Sequence, residues 1–494
     1  MQSIVRSSLI NTAAGILSLV AGFGSSVIVA RLLGVEASGT VAYALWIMTL
    51  ATLVSDFGMP QLLLRFIGTI DGQYGGLVRA VTRRFALSTG ITTIILIAYA
   101  IYDWRQDEHA DALIWAATTA MFLSYAYSTM TLGATQGLGE FSRAALYTVI
   151  GCLLQLGVIF VGALLWGIPG AMIGHALRHL PQALALRHYL KGPGQAENAI
   201  TPAMSVYAKN NWISGGLSTI LNSRVELAVL GLSFSLTEVG YYAIGMTMTG
   251  MVLQLAVYLM ASLVPYFSYQ SEKGDHASLT LAYQRSARWL TIVLAPICFG
   301  GAAIAPVLIP LVFGQSFLPA VDISMVLLAF SLAAALSNIP IRLMLAKEHS
   351  GAMLRLSVGW GVISLLLLFA IVPVLGEIGA AWVKGLAGLG ATVHNIWYCH
   401  SRLKVPFAVS SVARILVSAA ACALAAYGCL LWLPNIAGMV LACAAGGVVY
   451  PVMLILLNAL PVDERHMIVS WSNGRLPAPL AHALKAALFR GQTL

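Results

Sequence analysis

The chain has 494 residues, 59% of them hydrophobic and only 9% charged, with a formal net charge of +9. A soluble domain carries about 25% charged residues, so this composition excludes a soluble enzyme or binding module and indicates a polytopic all-α membrane protein. The basic residues are spread over alternate loops, which argues against a nucleic-acid partner.

Apolar runs of roughly 20 residues, enough to cross a hydrocarbon core of ~30 Å, follow one another with short connections. Fourteen spans are predicted, at about 10–31, 39–66, 84–102, 112–135, 143–166, 168–189, 211–234, 240–267, 289–312, 321–345, 353–374, 378–399, 411–433 and 436–460. Arg79, Arg83 and Arg84 fall in one loop, Arg187, Lys191 and Lys209 in a later one, and Arg402, Lys404 and Arg414 in another of the same side. The opposite loops hold Arg31, Arg105 and acids such as Asp103 and Asp111. By the positive-inside bias both termini are expected to be cytoplasmic. Residues 1–30 are read as an uncleaved first helix, because the apolar run is too long for a signal peptide. The six cysteines lie in apolar helices with no CxxC pair, which implies neither a disulfide framework nor a metal site.

In helix 1, Asn11, Gly15, Ser18, Gly22 and Ser25 share a face, a spacing that favours close helix packing over substrate contact. Helix 2 carries Asp56 within its apolar run, then Gly58 and Pro60, which loosen it, and ends at Arg65. Asp56 has two even readings, a functional carboxylate or a partner for a base at the helix end. Ser124, Ser128, Thr131 and Thr135 line one side of helix 4, where packing is slightly favoured over a cavity wall. His175 and His179 flank Arg178 in helix 6; without a carboxylate or third ligand they are read as interfacial or satisfied by neighbours, not as metal ligands.

Past a polar loop at 190–209, residues 210–234 contain Arg224 and Glu226 at membrane depth, where an ionised side chain is a functional candidate. Asn211, Gly215, Ser218, Asn222 and Glu226 recur every three or four residues and form one polar stripe, while Arg224 lies off it. Helix 8 sets Thr247, Met251, Gln254, Tyr258 and Ser262 on one face. Its approach, VLGLSFSLTEVGYYAI, aligns with VARLLGVEASGTVAYA at 29–44, Gly39 falling on Gly240. Two parallel six-helix repeats are expected: a bundle at 1–189, a linker at 190–209 and a second bundle at 210–400. Helix 10 aligns Ser331, Asn338 and Arg342, and helix 12 places Lys384 on the face of Glu377 and Asn395. Lys384 is read evenly as an interfacial partner of Glu377 or as a cation for an anionic ligand. Residues 401–460 form two peripheral lipid-facing helices, and 461–494 an amphipathic tail on the inner surface.

The Ala-Arg-Leu-Leu-Gly end of helix 1, the aromatic opening of helix 2, the Gly-Tyr-Tyr opening of helix 8 and the acid in the middle of helix 7 carry a resemblance. Over helices 1–12 the chain resembles the oligosaccharide flippases of the multidrug/oligosaccharidyl-lipid/polysaccharide exporter superfamily, and the lipid II flippases are similar at the first of these places. The resemblance implies a flippase moving a polyprenyl-diphosphate-linked oligosaccharide across a bacterial inner membrane, for surface polysaccharide such as O-antigen, exopolysaccharide or capsule. It implies no cofactor, with a polysaccharide polymerase and chain-length regulator as partners, and coupling to H+ or Na+. Arg224, Lys384, Arg65, Asn222 and Gln254 are then the substrate-binding candidates, and Glu226 and Asp56 the ion-coupling ones. Arg31 is basic too, but inside the shared motif a structural role is preferred. The rival readings are a drug/cation antiporter of the same superfamily and a membrane polymerase or ligase. The loop at 103–111 is too short to enclose a sugar for the latter, and no GxxxxGKS-type loop is present for ATP.

Overall fold

A computed structural model describes residues 2–70, 72–106, 111–195, 200–222, 225–260 and 263–472. Among these there is no strand, and the helices run α1 (Gln2–Asp56), α2 (Met59–Phe66), α3 (Tyr74–Gln106), α4 (Ala112–Gly137), α5 (Phe141–Leu190), α6 (Pro202–Asn222), α7 (Val225–Ser233) and α8 (Leu236–Leu259). They continue as α9 (Leu263–Glu272), α10 (His276–Phe313), α11 (Ala320–Ala346), α12 (Ser350–Ser401), α13 (Val409–Trp432), α14 (Ile436–Leu456) and α15 (Val462–Ser472). Nine of the described helices are long and apolar enough to cross a membrane. The chain is a multi-pass membrane protein.

Helices α1, α5 and α12 have 55, 50 and 52 residues. At ~1.5 Å per residue each would extend roughly 75–83 Å, more than twice the hydrocarbon core, so each has to fold back. Each does so at a single glycine: Gly34 (φ 86, ψ −165), Gly167 (φ 60, ψ −134) and Gly376 (φ 59, ψ −146). That backbone region is essentially closed to residues with a Cβ. The predicted boundaries between spans 1 and 2, 5 and 6, and 11 and 12 fall on these turns. In α5 the two arms pack with glycine against glycine: a Cβ on Gly162 would stand 2.5 Å from the Gly170 carbonyl oxygen, and one on Gly170 2.0 Å from that of Gly162.

The chain forms two compact units, one of 1–247, 312–323 and 357–384, the other of 248–311, 324–356 and 385–494. The first unit has its core around Leu63, Phe85, Phe122, Met130, Ile159 and Tyr189. Within this unit the two glycines that the sequence repeat aligns meet each other's helix. A Cβ on Gly39 would lie 1.8 Å from the Leu236 oxygen, and one on Gly240 2.3 Å from the Val35 oxygen. The same register that sets Gly39 on Gly240 sets Val35 on Leu236, so the contact is reciprocal.

The second unit is built on Phe267, Tyr283, Leu294, Cys298, Ile339 and Cys399. Helices α13 and α14 join it through Ala303, Ala426, Leu430 and Ala442, and through the Tyr450 hydroxyl donating to the Ile292 carbonyl at 2.9 Å. Their other faces, with Leu424, Leu431, Trp432 and Val448, are exposed. The start of the predicted surface tail is tied down instead: Glu464 on α15 is buried and accepts from Arg288 Nε at 2.9 Å, with Arg285 at 3.7 Å. Sequence alone gave no sign of this, because Glu464 and its bases on α10 are far apart in the chain. The tail from residue 473 onward lies outside the described residues.

The α5 hairpin yields a paired prediction. Gly170→Ala drives a Cβ into backbone that cannot give way and is expected to cost about 1–3 kcal/mol. Gly157→Ala meets nothing within 4 Å and is expected to leave stability unchanged or slightly raised. Thermal unfolding of the two purified variants in detergent compares them.

Candidate functional site

Glu226 lies in the first turn of α7, where backbone N–H groups and the helix dipole favour a carboxylate. Lys384 lies on the second arm of α12, eight residues past Gly376, or ~12 Å along the helix from that turn. The two belong to one compact unit, and Lys384 Nζ donates to Glu226 Oε1 at 2.8 Å. Glu226 is 4% exposed, and the Lys384 side chain keeps 22% of its surface. The sequence reading offered Glu377 as the lysine's partner; its partner is Glu226, brought in by the return of α12.

The pair is incompletely satisfied. Among the described residues the second carboxylate oxygen of Glu226 is buried without a hydrogen-bond partner, and so is the hydroxyl of Tyr242 on α8. A buried ion pair compensates its desolvation only when the remaining lone pairs are also answered. The unused oxygen is a place for a proton or a small cation, and the accessible side of Lys384 is a place for an anion.

Of the other predicted residues whose side chains are described in this unit, Asp56 and Arg65 make no hydrogen bond or ion pair with Glu226 or Lys384. Asp56 Oδ1 accepts from the Gly58 N–H at 2.8 Å, closing a turn in which Phe57 and Gly58 have φ 44 and 73. Asp56 is 22 residues from the Gly34 turn, a path of ~33 Å, which puts it at the far end of its span. Its observed contact is that of a helix terminator, and the break is further held by Trp212 Nε1 donating to the Leu53 carbonyl at 2.7 Å and stacking on Phe57. Arg65 is exposed in the last turn of α2 and has no hydrogen bond or ion pair among the described residues. Arg31 donates through Nε to the Val312 carbonyl at 2.9 Å, a contact between helix ends. Gln254, half-buried on α8, belongs to the second compact unit. Asn222 ends α6, but its side chain, like the whole of Arg224, lies outside the described residues.

The helix 4 hydroxyls are accounted for within their own helix: Ser124 donates to Met121, Ser128 to Tyr125, Thr131 to Tyr127 and Thr135 to Thr131. Among the described residues no three His, Cys, Asp or Glu side chains are grouped as a metal ion would need. One polar group was undervalued in the sequence. Arg178 lies eleven residues past the Gly167 turn, ~16 Å into its span, and that depth was the available signal.

A profile of the family described as "Polysaccharide biosynthesis protein" matches residues 28–322. The chain belongs to the polysaccharide biosynthesis protein family. Its fold is similar to that of a structure titled "Lipid II flippase MurJ, inward closed conformation", at TM-score 0.73 and 13% identity over 91% of this chain and 98% of that one. It is also similar to the MATE multidrug transporter DinF-BH in complex with R6G (TM-score 0.57, 13% identity, 80% of this chain and 96% of that). An outward-facing MATE transporter of the MOP superfamily gives TM-score 0.56 at 16% identity over 81% of this chain and 95% of that. No curated protein sequence matches. This member of the polysaccharide biosynthesis family thus has the MurJ/MATE fold. Its matched region holds Asp56, Arg65, Glu226 and Gln254, while Lys384 lies beyond it.

Among the described residues, removing Lys384 leaves Glu226 buried with no counter-charge. Lys384→Ala is expected to destabilise the purified protein by about 3 kcal/mol, with most of the loss recovered in the Lys384→Ala/Glu226→Gln double variant. A double-mutant cycle on thermal unfolding measures the coupling.

Proposed function

We propose that this chain is a flippase that carries a polyprenyl-diphosphate-linked oligosaccharide repeat unit from the inner to the outer leaflet of a bacterial inner membrane, for synthesis of a surface polysaccharide. The observation that supports it most is that a chain of the polysaccharide biosynthesis family has, over 91% of its length, a fold similar to that of a lipid II flippase. Alternating access of two six-helix bundles, 1–189 and 210–400, is the transport cycle this reading adopts, and a polymerase and chain-length regulator are its downstream partners.

The Glu226–Lys384 pair supplies a coupling step. An arriving diphosphate draws Lys384 away from Glu226, since a charge-assisted bond to phosphate offsets the loss of the carboxylate. Glu226 would then be a buried, unpaired anion, a state that costs several kcal/mol and is relieved by taking up a proton or a sodium ion. Substrate entry and cation uptake are therefore linked through one side chain. Arg65, exposed at the end of α2, is the proposed first phosphate contact.

The MATE likeness favours a second reading, a drug/cation antiporter, at a lower TM-score. The test replaces the chromosomal copy with Glu226→Gln or Lys384→Ala and measures surface polysaccharide against the amount of protein in the membrane fraction. Both variants are expected to reach the membrane and to lower export about tenfold or more, the consequence of losing one charged hydrogen bond. Unchanged export in both would remove the pair from the mechanism; resistance to cationic drugs that depends on Glu226, with polysaccharide intact, would favour the antiporter.

A further inference from the structure

Arg178 is an arginine deep in its span whose charge no carboxylate answers among the described residues. Its Nη1 donates to Gln155 Oε1 at 2.8 Å, and its Nη2 to the hydroxyl of Ser18 on α1. Because a guanidinium can only donate, the Gln155 oxygen must face it, which turns the Gln155 amide NH2 toward His175 Nδ1, 3.3 Å away. Gln155 is buried at 1% exposure, so the guanidinium is held by a fixed, neutral acceptor. An uncompensated arginine at the centre of a span costs at least ~2.5–3.5 kcal/mol. Two dipolar acceptors offset that cost without cancelling the charge.

The arginine does not face lipid. Ile173 and Leu184 are the exposed apolar positions of this arm, and Arg178 stands five residues after one and six before the other. On a helix that places it roughly 140° and 120° around from them. It nonetheless stays partly accessible. One turn on from Ser18 on α1 there is no side chain: a Cβ on Gly22 would begin 3.9 Å from Nη1. One turn on from Arg178, along the same face, the buried amide nitrogen of Gln182 has no acceptor.

We infer that Arg178, held by Gln155 and Ser18, is a binding site for a phosphate group carried on a lipid. The inference deepens the flippase reading by naming the part of the substrate held in the first helical bundle, at a depth where transporters of repeated bundles place their sites. The guanidinium fork suits two phosphate oxygens, and the idle Gln182 amide is a further donor. The same chemistry fits an anionic phospholipid headgroup.

The test is binding to the purified full-length protein, followed by intrinsic tryptophan fluorescence. The probes are geranylgeranyl diphosphate, geranylgeraniol as its uncharged counterpart, and phosphatidylglycerol as the phospholipid source. Gln155→Glu is the decisive variant, since it keeps the shape and sets a carboxylate on the guanidinium, cancelling its charge without removing it. Gln155→Glu and Arg178→Gln are each expected to weaken diphosphate binding about tenfold or more, with Arg178→Lys intermediate and the alcohol unaffected. If the loss appears for phosphatidylglycerol only, the phosphate site stands and its occupant is a bilayer lipid. Binding of both phosphate probes that is undiminished in Gln155→Glu, or absent from the unaltered protein, overturns the inference. Because binding is read without export, the site can stand even where the flippase assignment fails.

Discussion

Hydrocarbon does not solvate charge, and each ionised group placed in the membrane must be answered by the protein itself. At Glu226 and Lys384 the answer is an opposite charge at 2.8 Å, delivered by a helix that turns back at Gly376. The geometry of the site therefore depends on the backbone turn that precedes it. Gly376 fixes where the second arm of α12 begins, and eight residues later Lys384 arrives beside the first turn of α7. Since one oxygen of Glu226 is left without a partner, the pair is held in place but is not a closed network.

Much of the architecture was legible in the sequence because membrane helices write themselves in composition. Runs of apolar residues marked the membrane helices, and the breaks at three of the boundaries fell on Gly34, Gly167 and Gly376. What could not be read was the form of those boundaries, because a one-residue reversal looks in sequence like a short loop or a kink. The structure resolves it through positive φ at each of the three positions.

The site was legible one residue at a time. Glu226 and Lys384 were each conspicuous as ionised residues inside apolar runs, yet their pairing joins positions 158 apart in the chain, and helical periodicity speaks only of neighbours three or four residues away. For the same reason Lys384 was offered Glu377. Asp56 was conspicuous on the same ground, and path length along α1 places it at the end of its span, where it terminates the helix. Arg178 was noted only as the residue between His175 and His179, whose own reading as metal ligands was set aside for want of further ligands. Its actual partners are Gln155, which was not singled out, and Ser18, which was read as a packing position on helix 1.

On the flippase reading proposed above, the charges described in the first compact unit suit an anionic cargo. Glu226 and Lys384 cancel, Asp56 lies at the end of its span with Arg65 exposed after it, and Arg178 keeps its charge against neutral acceptors, so the balance of the groups deep in the membrane is positive. A positive interior lowers the barrier for an anionic headgroup and raises it for a cationic drug, since each pays or recovers the same Coulomb energy with opposite sign. For a cation to be preferred, Glu226 would have to shed Lys384, which exposes a second positive charge in the same unit. For a diphosphate the same separation adds a ligand. The two readings share a fold, but only the anionic one uses the ion pair and the arginine in the same direction.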